Sequence, residues 1–134
     1  MIKPHGTDQL HPLYVMDAKE RAALTQEAER LPSLVVSSAA AANAVMMGAG
    51  YFNPLSGYMA LADAISVADQ MRTTSGLFWP VPVVNVVKDA SAVKGQKLVA
   101  LRDPNVEGNP PIAVMEISAV EQATRKDLVD ARRA

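Results

Sequence analysis

Gly48-Ala-Gly-Tyr-Phe-Asn-Pro-Leu-Ser-Gly-Tyr-Met59 is the stretch around which we expect the chain to fold. Gly48 and Gly50 can adopt the positive φ angles that end a helix, which other residues adopt only at a cost. Pro54 prevents a preceding helix from continuing, and Ser56 can cap the next one. The segment therefore predicts a corner between two helices.

This corner, residues 48–59, carries large apolar side chains, although connecting segments ordinarily lie at the surface. We expect these side chains to be buried; they are Tyr51, Phe52, Leu55 and Tyr58. The corner contains no thiol, histidine or carboxylate, so it predicts a fold rather than a reaction. Substitutions of Pro54 or Gly57 are therefore expected to impair folding before they impair any ligand binding.

Length and composition predict a single globular domain. A chain of 134 residues is long enough to bury one core. Thirteen basic and fourteen acidic residues leave a net charge of -1. That balance argues against a dedicated nucleic-acid binder, because such proteins ordinarily carry a basic surplus. The absence of cysteine excludes disulfides, thiolate nucleophiles and cysteine-based zinc sites.

The sequence contains no segment typical of a signal peptide or of a membrane-spanning helix. The N-terminal residues lack the apolar core of a signal peptide. No apolar run reaches the ~20 residues that a membrane-spanning helix needs. We therefore expect a cytoplasmic protein with no membrane partner.

Hydrophobic periodicity predicts helices mostly in the first half of the chain and strands mostly in the second. The expected helices cover residues 17–31, 39–47, 56–71 and 118–133. The expected strands cover residues 13–16, 34–36, 78–87, 97–101 and 111–117. Such an order is typical of an α+β domain with a small open or barrel-like sheet.

Helix boundaries are indicated by capping residues. Asp17 with Glu20 three positions later forms a capping-box pattern, and Pro32 ends that helix. Ser37 or Ser38 is expected to cap the next helix, a role that we favour over binding an anion there.

No motif for nucleotide, hydrolase or metal chemistry is present. The chain lacks a Gly-x-x-x-x-Gly-Lys phosphate loop, a Gly-x-Gly-x-x-Gly fingerprint and a Gly-x-Ser-x-Gly elbow. His5 and His11 are the only histidines, whereas protein zinc sites use three or four ligands. Asp63 and Asp69 lie six positions apart and do not stack as paired carboxylates. We therefore assign no catalytic, cofactor-binding or metal-binding residue.

Several groups of segments, in chain order, resemble the N-terminal domain of ATP sulfurylase (sulfate adenylyltransferase). Residues 48–59 resemble that family's Gly-x-Phe-x-Pro-Leu-x-Gly-Phe-Met motif. The other similar segments are residues 3–6 with 13–15, 31–34, 78–84, and 100–104 with 107–110. The likeness covers roughly residues 1–120 and ends before the charged C-terminal residues.

This resemblance implies a PUA-like fold, in which a pseudo-barrel of strands has helices packed alongside. Members of the family make adenosine 5'-phosphosulfate and pyrophosphate from ATP and sulfate, in sulfate assimilation or sulfur oxidation. Their separate catalytic domain carries Gln-x-Arg-Asn-Pro-x-His and His-x-x-His motifs. Neither motif occurs here; Gln70-Met-Arg72 is the nearest fragment, but two threonines follow it.

The resemblance therefore implies that residues 1–134 form a single, non-catalytic domain without a cofactor. Its expected partner is the catalytic adenylyltransferase domain, in the same or a separate chain, and a homo-oligomer is also compatible. An alternative is RNA binding, since PUA-like folds include RNA binders and four cations lie near the predicted strands: Lys88, Lys94, Lys97 and Arg102. A further alternative is a partner-binding protein that uses an apolar face.

Overall fold

The computed structural model describes residues 2–124 and 126–127. The chain divides into two compact units. The first contains the described residues of 1–57 and 86–118, and the second contains those of 58–85 and 119–134.

A three-stranded sheet forms the centre of the first unit. Its strands are β1 (Ser33–Val35), β2 (Leu98–Arg102) and β3 (Pro111–Glu116), in the order β1-β2-β3. β2 pairs in parallel with β1 and antiparallel with β3. Because β2 is central, Val99 and Leu101 are at most 2% exposed, and the strand is apolar without alternation.

Two helices, α1 (Ala18–Arg30) and α2 (Ser38–Gly48), belong to the same unit. The Asp17 carboxylate caps α1 by accepting a hydrogen bond from the Glu20 amide, as the capping-box pattern predicts. Ser37 caps α2, its hydroxyl accepting from Ala40 N at 3.1 Å. Both predicted helices are confirmed to within one residue at each end.

The second unit contains α3, which covers Leu61–Gln70. The prediction that this helix begins at Ser56 is wrong. Met59 N donates to Val83 O at 2.7 Å, so the residues before α3 pair with another segment instead of winding into a helix. The first amide of α3, Leu61 N, donates to the Glu121 carboxylate at 2.7 Å.

The predicted strand over residues 78–87 is also wrong. Within the described residues, this segment takes part in one isolated antiparallel bridge, between Phe78 and Arg72. Pro80 and Pro82 have no N–H to donate, so they interrupt any ladder. The segment is nevertheless packed inside the fold, since Val83 is 1% exposed.

The two ends of the chain depart from prediction as well. Residues 13–16 form no strand, because Leu13 N and Tyr14 N both donate to Gly48 O. Residues 118–124 are not helical, and most of the helix predicted over 118–133 lies outside the described residues. A helical turn at 126–127 follows Thr124, whose hydroxyl accepts from Asp127 N at 3.2 Å.

The fold class is confirmed as α+β, with the helices mostly in the first half and β2 and β3 in the second. Among the described residues, no helix is both long enough and apolar enough to cross a membrane.

Candidate functional site

Asn53 is the side chain that holds the corner together. It is 7% exposed. Its Oδ1 accepts a hydrogen bond from His11 N at 3.1 Å, and its Nδ2 donates to His5 O at 3.0 Å and to Thr7 Oγ1 at 2.7 Å. A single amide therefore fixes the N-terminal segment against residues 48–59. Sequence reasoning missed this role, because the three partners lie more than 40 positions away.

The two glycines of the corner contact the same N-terminal segment in different ways. Gly50 has a φ of +84°, and a Cβ added there would lie 3.3 Å from Leu10 Cγ. Gly48 is the last residue of α2, does not have a positive φ, and accepts from Leu13 N and Tyr14 N through its carbonyl. The expected left-handed conformation is thus correct for Gly50 and wrong for Gly48.

The expectation that all four large side chains of the corner are buried is wrong for Tyr51. Its side chain is 75% exposed, whereas Phe52, Leu55 and Tyr58 are half-buried. Asn53 N donates to Gly50 O, so Tyr51 occupies a central position of a turn. Central turn positions project from the surface, which explains the exposure. Burial raises the pKa of the Tyr58 phenol to about 12.

Gly57 is not required for steric or conformational reasons, although the sequence suggested that a substitution there would impair folding. A Cβ added at this position would meet no heavy atom within 4 Å, and its φ lies outside the left-handed region. The structure thus contradicts the expectation that a substitution at Gly57 impairs folding for steric reasons.

The histidines and carboxylates considered as site residues have local structural contacts. His5 and His11 meet Asn53 through their backbone groups. The Asp63 carboxylate accepts from Thr74 N at 2.8 Å and from Thr74 Oγ1 at 2.7 Å, which ties α3 to the turn that follows it. Within residues 2–124 and 126–127, no three His, Asp or Glu residues are placed to hold a metal ion.

The Gln70-Met-Arg72 fragment ends α3 and enters a turn. Met71 has a left-handed φ of 56°, and Arg72 Nη1 donates to Gly76 O at 3.1 Å. The fragment is therefore part of a helix terminus and does not form a nucleotide-binding motif.

The four cations considered for RNA binding differ in their surroundings. Arg102 Nη2 lies 3.2 Å from the Glu29 carboxylate, and its Nη1 donates to Asn109 O. The first contact joins β2 to α1, and the second braces the connection between β2 and β3. Lys88, Lys94 and Lys97 are exposed.

Comparison with known proteins identifies the fold family. The model of the PUA-like domain family matches residues 2–132. The chain belongs to the PUA-like domain family. The likeness to the N-terminal domain of sulfate adenylyltransferase is also confirmed by sequence relatives of that name.

Two of these relatives come from Alcanivorax borkumensis and Allochromatium vinosum. The first is 62% identical over 128 residues, which cover 96% of this PUA-like chain and 32% of the relative. The second is 56% identical and covers 92% of this chain and 31% of the relative. The chain thus spans about a third of the length of the sulfate adenylyltransferases that it matches.

A solved structure shows the same fold in a longer protein. It is the hexameric APS kinase from Thiobacillus denitrificans, with a TM-score of 0.71 and 29% sequence identity. The match covers 92% of this chain and 24% of that chain. A PUA-like domain of this kind therefore occurs as a minor part of larger proteins.

Proposed function

We propose that this chain is the non-catalytic N-terminal domain of a sulfate adenylyltransferase and that it supports the folding and assembly of the catalytic domain. The observation that carries this proposal is the 62% identity to the A. borkumensis enzyme, over 32% of that relative's length. In the full-length enzyme, the reaction is the formation of adenosine 5'-phosphosulfate and pyrophosphate from ATP and sulfate, which we place in the cytoplasm.

The absence of the family's catalytic motifs from residues 1–134 supports a non-catalytic role. Adenylyl transfer needs cationic or hydrogen-bonding groups aimed at the phosphates, where charge develops in the transition state. Arg72, the side chain that came closest to such a site, serves the fold instead by donating a hydrogen bond to Gly76 O. The catalytic groups would therefore lie in a partner domain, in the same or a separate chain.

An assembly role is supported by the hexameric state named for the T. denitrificans protein, in which a domain of this fold covers 24% of the chain. We propose that this PUA-like domain likewise functions within an oligomer.

The test uses three proteins. The first is the 134-residue chain, which should form no adenosine 5'-phosphosulfate from ATP and sulfate. The second is a chimera in which this chain replaces the matching 128 residues of the A. borkumensis enzyme, and it should be active. The third is that enzyme without those 128 residues, which should lose activity or fail to assemble.

Three results would overturn the proposal. The first is an inactive chimera, and the second is turnover by the 134-residue chain alone. The third is full activity and normal assembly of the A. borkumensis enzyme after its matching 128 residues are removed.

A further inference from the structure

An exposed apolar face lies at the C-terminal end of α2 in the first unit. It consists of large side chains from two segments, residues 10–14 and 45–51. We call this surface the uncharged face, and its exposed members are Leu10, Leu13, Tyr14, Val45, Met46 and Tyr51.

Backbone contacts bring the two segments of the uncharged face together. Leu13 N and Tyr14 N donate to Gly48 O, at 3.0 and 3.1 Å. Tyr51 N donates to Met46 O at 3.0 Å, which places the most exposed aromatic side chain beside the end of α2. The face is therefore fixed by the fold rather than carried on separate loops.

The uncharged face carries few formal charges because both of the segments that form it lie in stretches of sequence that are poor in charged residues. Residues 31–62 are 32 consecutive positions without Asp, Glu, Lys, Arg or His. Residues 9–16 contain no Asp, Glu, Lys or Arg; His11 is their one titratable side chain besides Tyr14, and Arg21 Nη1 donates to Val15 O at 3.4 Å. Charged residues make up 20% of the whole chain, so this absence is local.

A helix at the edge of a soluble domain ordinarily presents charged side chains to water. α1 follows that rule: its charged residues are Lys19, Glu20, Arg21, Glu27, Glu29 and Arg30. α2 does not, since its exposed positions are Ser38, Ala39, Ala42, Val45 and Met46. Depletion of charge, together with exposed Tyr and Met, characterises the centre of a protein interface.

We propose that the uncharged face binds the remaining part of a sulfate adenylyltransferase, which is its catalytic domain. This inference rests on the proposed function and adds to it which surface of the domain contacts the catalytic domain. The catalytic domain is proposed as the partner because of the length of the A. borkumensis relative. The match covers 32% of that protein, so about two thirds of its length lies outside the matched region. A domain interface of the usual size would cover such a face.

The experiment introduces lysine into the uncharged face, with a matched control in the same unit. Val45→Lys and Tyr51→Lys alter the face. Val106→Lys alters the connection between β2 and β3, where Val106 is 49% exposed, against 51% for Val45. Each substitution is made in the 134-residue chain and in the chimera with the A. borkumensis enzyme.

In the 134-residue chain, all three variants should keep the parent's unfolding temperature to within about 2 °C, because exposed substitutions have small effects. In the chimera, Val45→Lys and Tyr51→Lys should lower the temperature of inactivation by about 5 °C or more, since the lysine must be desolvated against the partner. Val106→Lys should leave that temperature unchanged.

Hydrogen exchange gives an independent readout on the unsubstituted proteins. Amides of residues 45–51 should exchange roughly tenfold more slowly in the chimera than in the 134-residue chain, because a covered segment opens less often. Amides of residues 103–108 should exchange at the same rate in both.

The outcomes separate the two proposals. An active chimera in which Val45→Lys and Tyr51→Lys behave like Val106→Lys removes the uncharged face as the docking surface and leaves the proposed function intact. An inactive unsubstituted chimera overturns the proposed function, and this inference with it. If Val45→Lys destabilises the 134-residue chain, Val45 contributes to folding rather than to docking. If the 134-residue chain is a dimer and Val45→Lys abolishes the dimer, the face binds a second copy of the chain. Either result overturns the inference.

Discussion

At the scale of single residues, Asn53 does more for the corner than the aromatic side chains that surround it. Its amide joins three backbone or hydroxyl groups of the N-terminal segment and is almost completely buried. A buried polar group is stabilising only when its hydrogen bonds are made, and removing it leaves its partners unsatisfied. The N-terminal segment therefore depends on one side chain that lies far away in sequence.

Replacing Asn53 by Ala should lower the free energy of unfolding by about 2–3 kcal/mol, because three hydrogen bonds of roughly 1 kcal/mol each are lost. Urea denaturation measures this change. Asn105→Ala is the control: that exposed side chain accepts a single bond from Ser38 Oγ, and its loss should cost less than about 1 kcal/mol. Equal effects at the two positions would contradict the role assigned to Asn53.

The glycines of the corner provide a matched pair. Gly50→Ala should destabilise the chain by about 1–2 kcal/mol, because alanine is strained at a φ of +84° and its Cβ would crowd Leu10. Gly57→Ala should be neutral or stabilising within about 1 kcal/mol, since space is available and the unfolded chain loses entropy. Thermal unfolding of both variants checks the order, and a larger loss at Gly57 would be inconsistent with it.

At the scale of elements, the helices differ in how their first turns are satisfied. α1 and α2 are capped by Asp17 and Ser37, which immediately precede them, so their starts are predictable from local sequence. The residue before α3 is Ala60, which provides no side-chain cap. Its first amide instead binds Glu121, from a segment 60 positions away. The start of α3 is thus set by tertiary structure.

Glu121→Ala should expose this dependence by lowering the local stability of the first turn of α3 by about 1 kcal/mol, the usual value for a lost cap. Hydrogen exchange of the amides of residues 61–64 should become correspondingly faster. Glu107→Ala, an exposed acidic residue in the connection between β2 and β3, should leave those amides unchanged. An unaltered exchange rate in Glu121→Ala would contradict this prediction, because it would show that water replaces the carboxylate without lowering the local stability of α3.

The strands show the same division between local and distant causes. β2 and β3 were predicted because each is a short apolar run bounded by turn residues. Residues 78–87 have equally strong β propensity, yet Pro80 and Pro82 remove two donors from any ladder. Propensity did not predict the hydrogen bonding of this segment, in which Trp79 and Val83 are buried while Phe78, Val81 and Val86 are exposed.

At the scale of the whole molecule, the described residues include no group of three His, Asp or Glu side chains placed to hold a metal ion. The buried apolar residues of the domain come from α1, α2, α3, β1 and β2, and from the connecting segments that contain Val36, Trp79, Val83 and Val93. Among the described residues, six exposed large apolar side chains lie on the uncharged face, and the other exposed ones are distributed over the rest of the chain. A domain of this kind is suited to packing against a larger partner, in agreement with the proposed function.

The stability of the whole chain should also depend on pH through Tyr58. The pKa of Tyr58 is raised in the folded state, from 10.0 to about 12, so the folded state favours the neutral phenol. This contribution is fully present below pH 10 and is lost as the pH rises from 10 to 12. Tyr58→Phe should flatten the fall in unfolding free energy across that interval, measured by urea denaturation. An identical slope in the variant would contradict the assignment to Tyr58.

The sequence by itself determined the α+β class, the caps of α1 and α2, the positions of β2 and β3, and the family resemblance at residues 48–59. Each of these depends on neighbouring residues, through capping, propensity or a short motif. Only the tertiary structure decided the role of Asn53, the start of α3, the exposure of Tyr51 and the assembly of the uncharged face. Those features depend on contacts between segments that are distant in sequence. Which of these groups meet is decided by the three-dimensional arrangement of the folded chain.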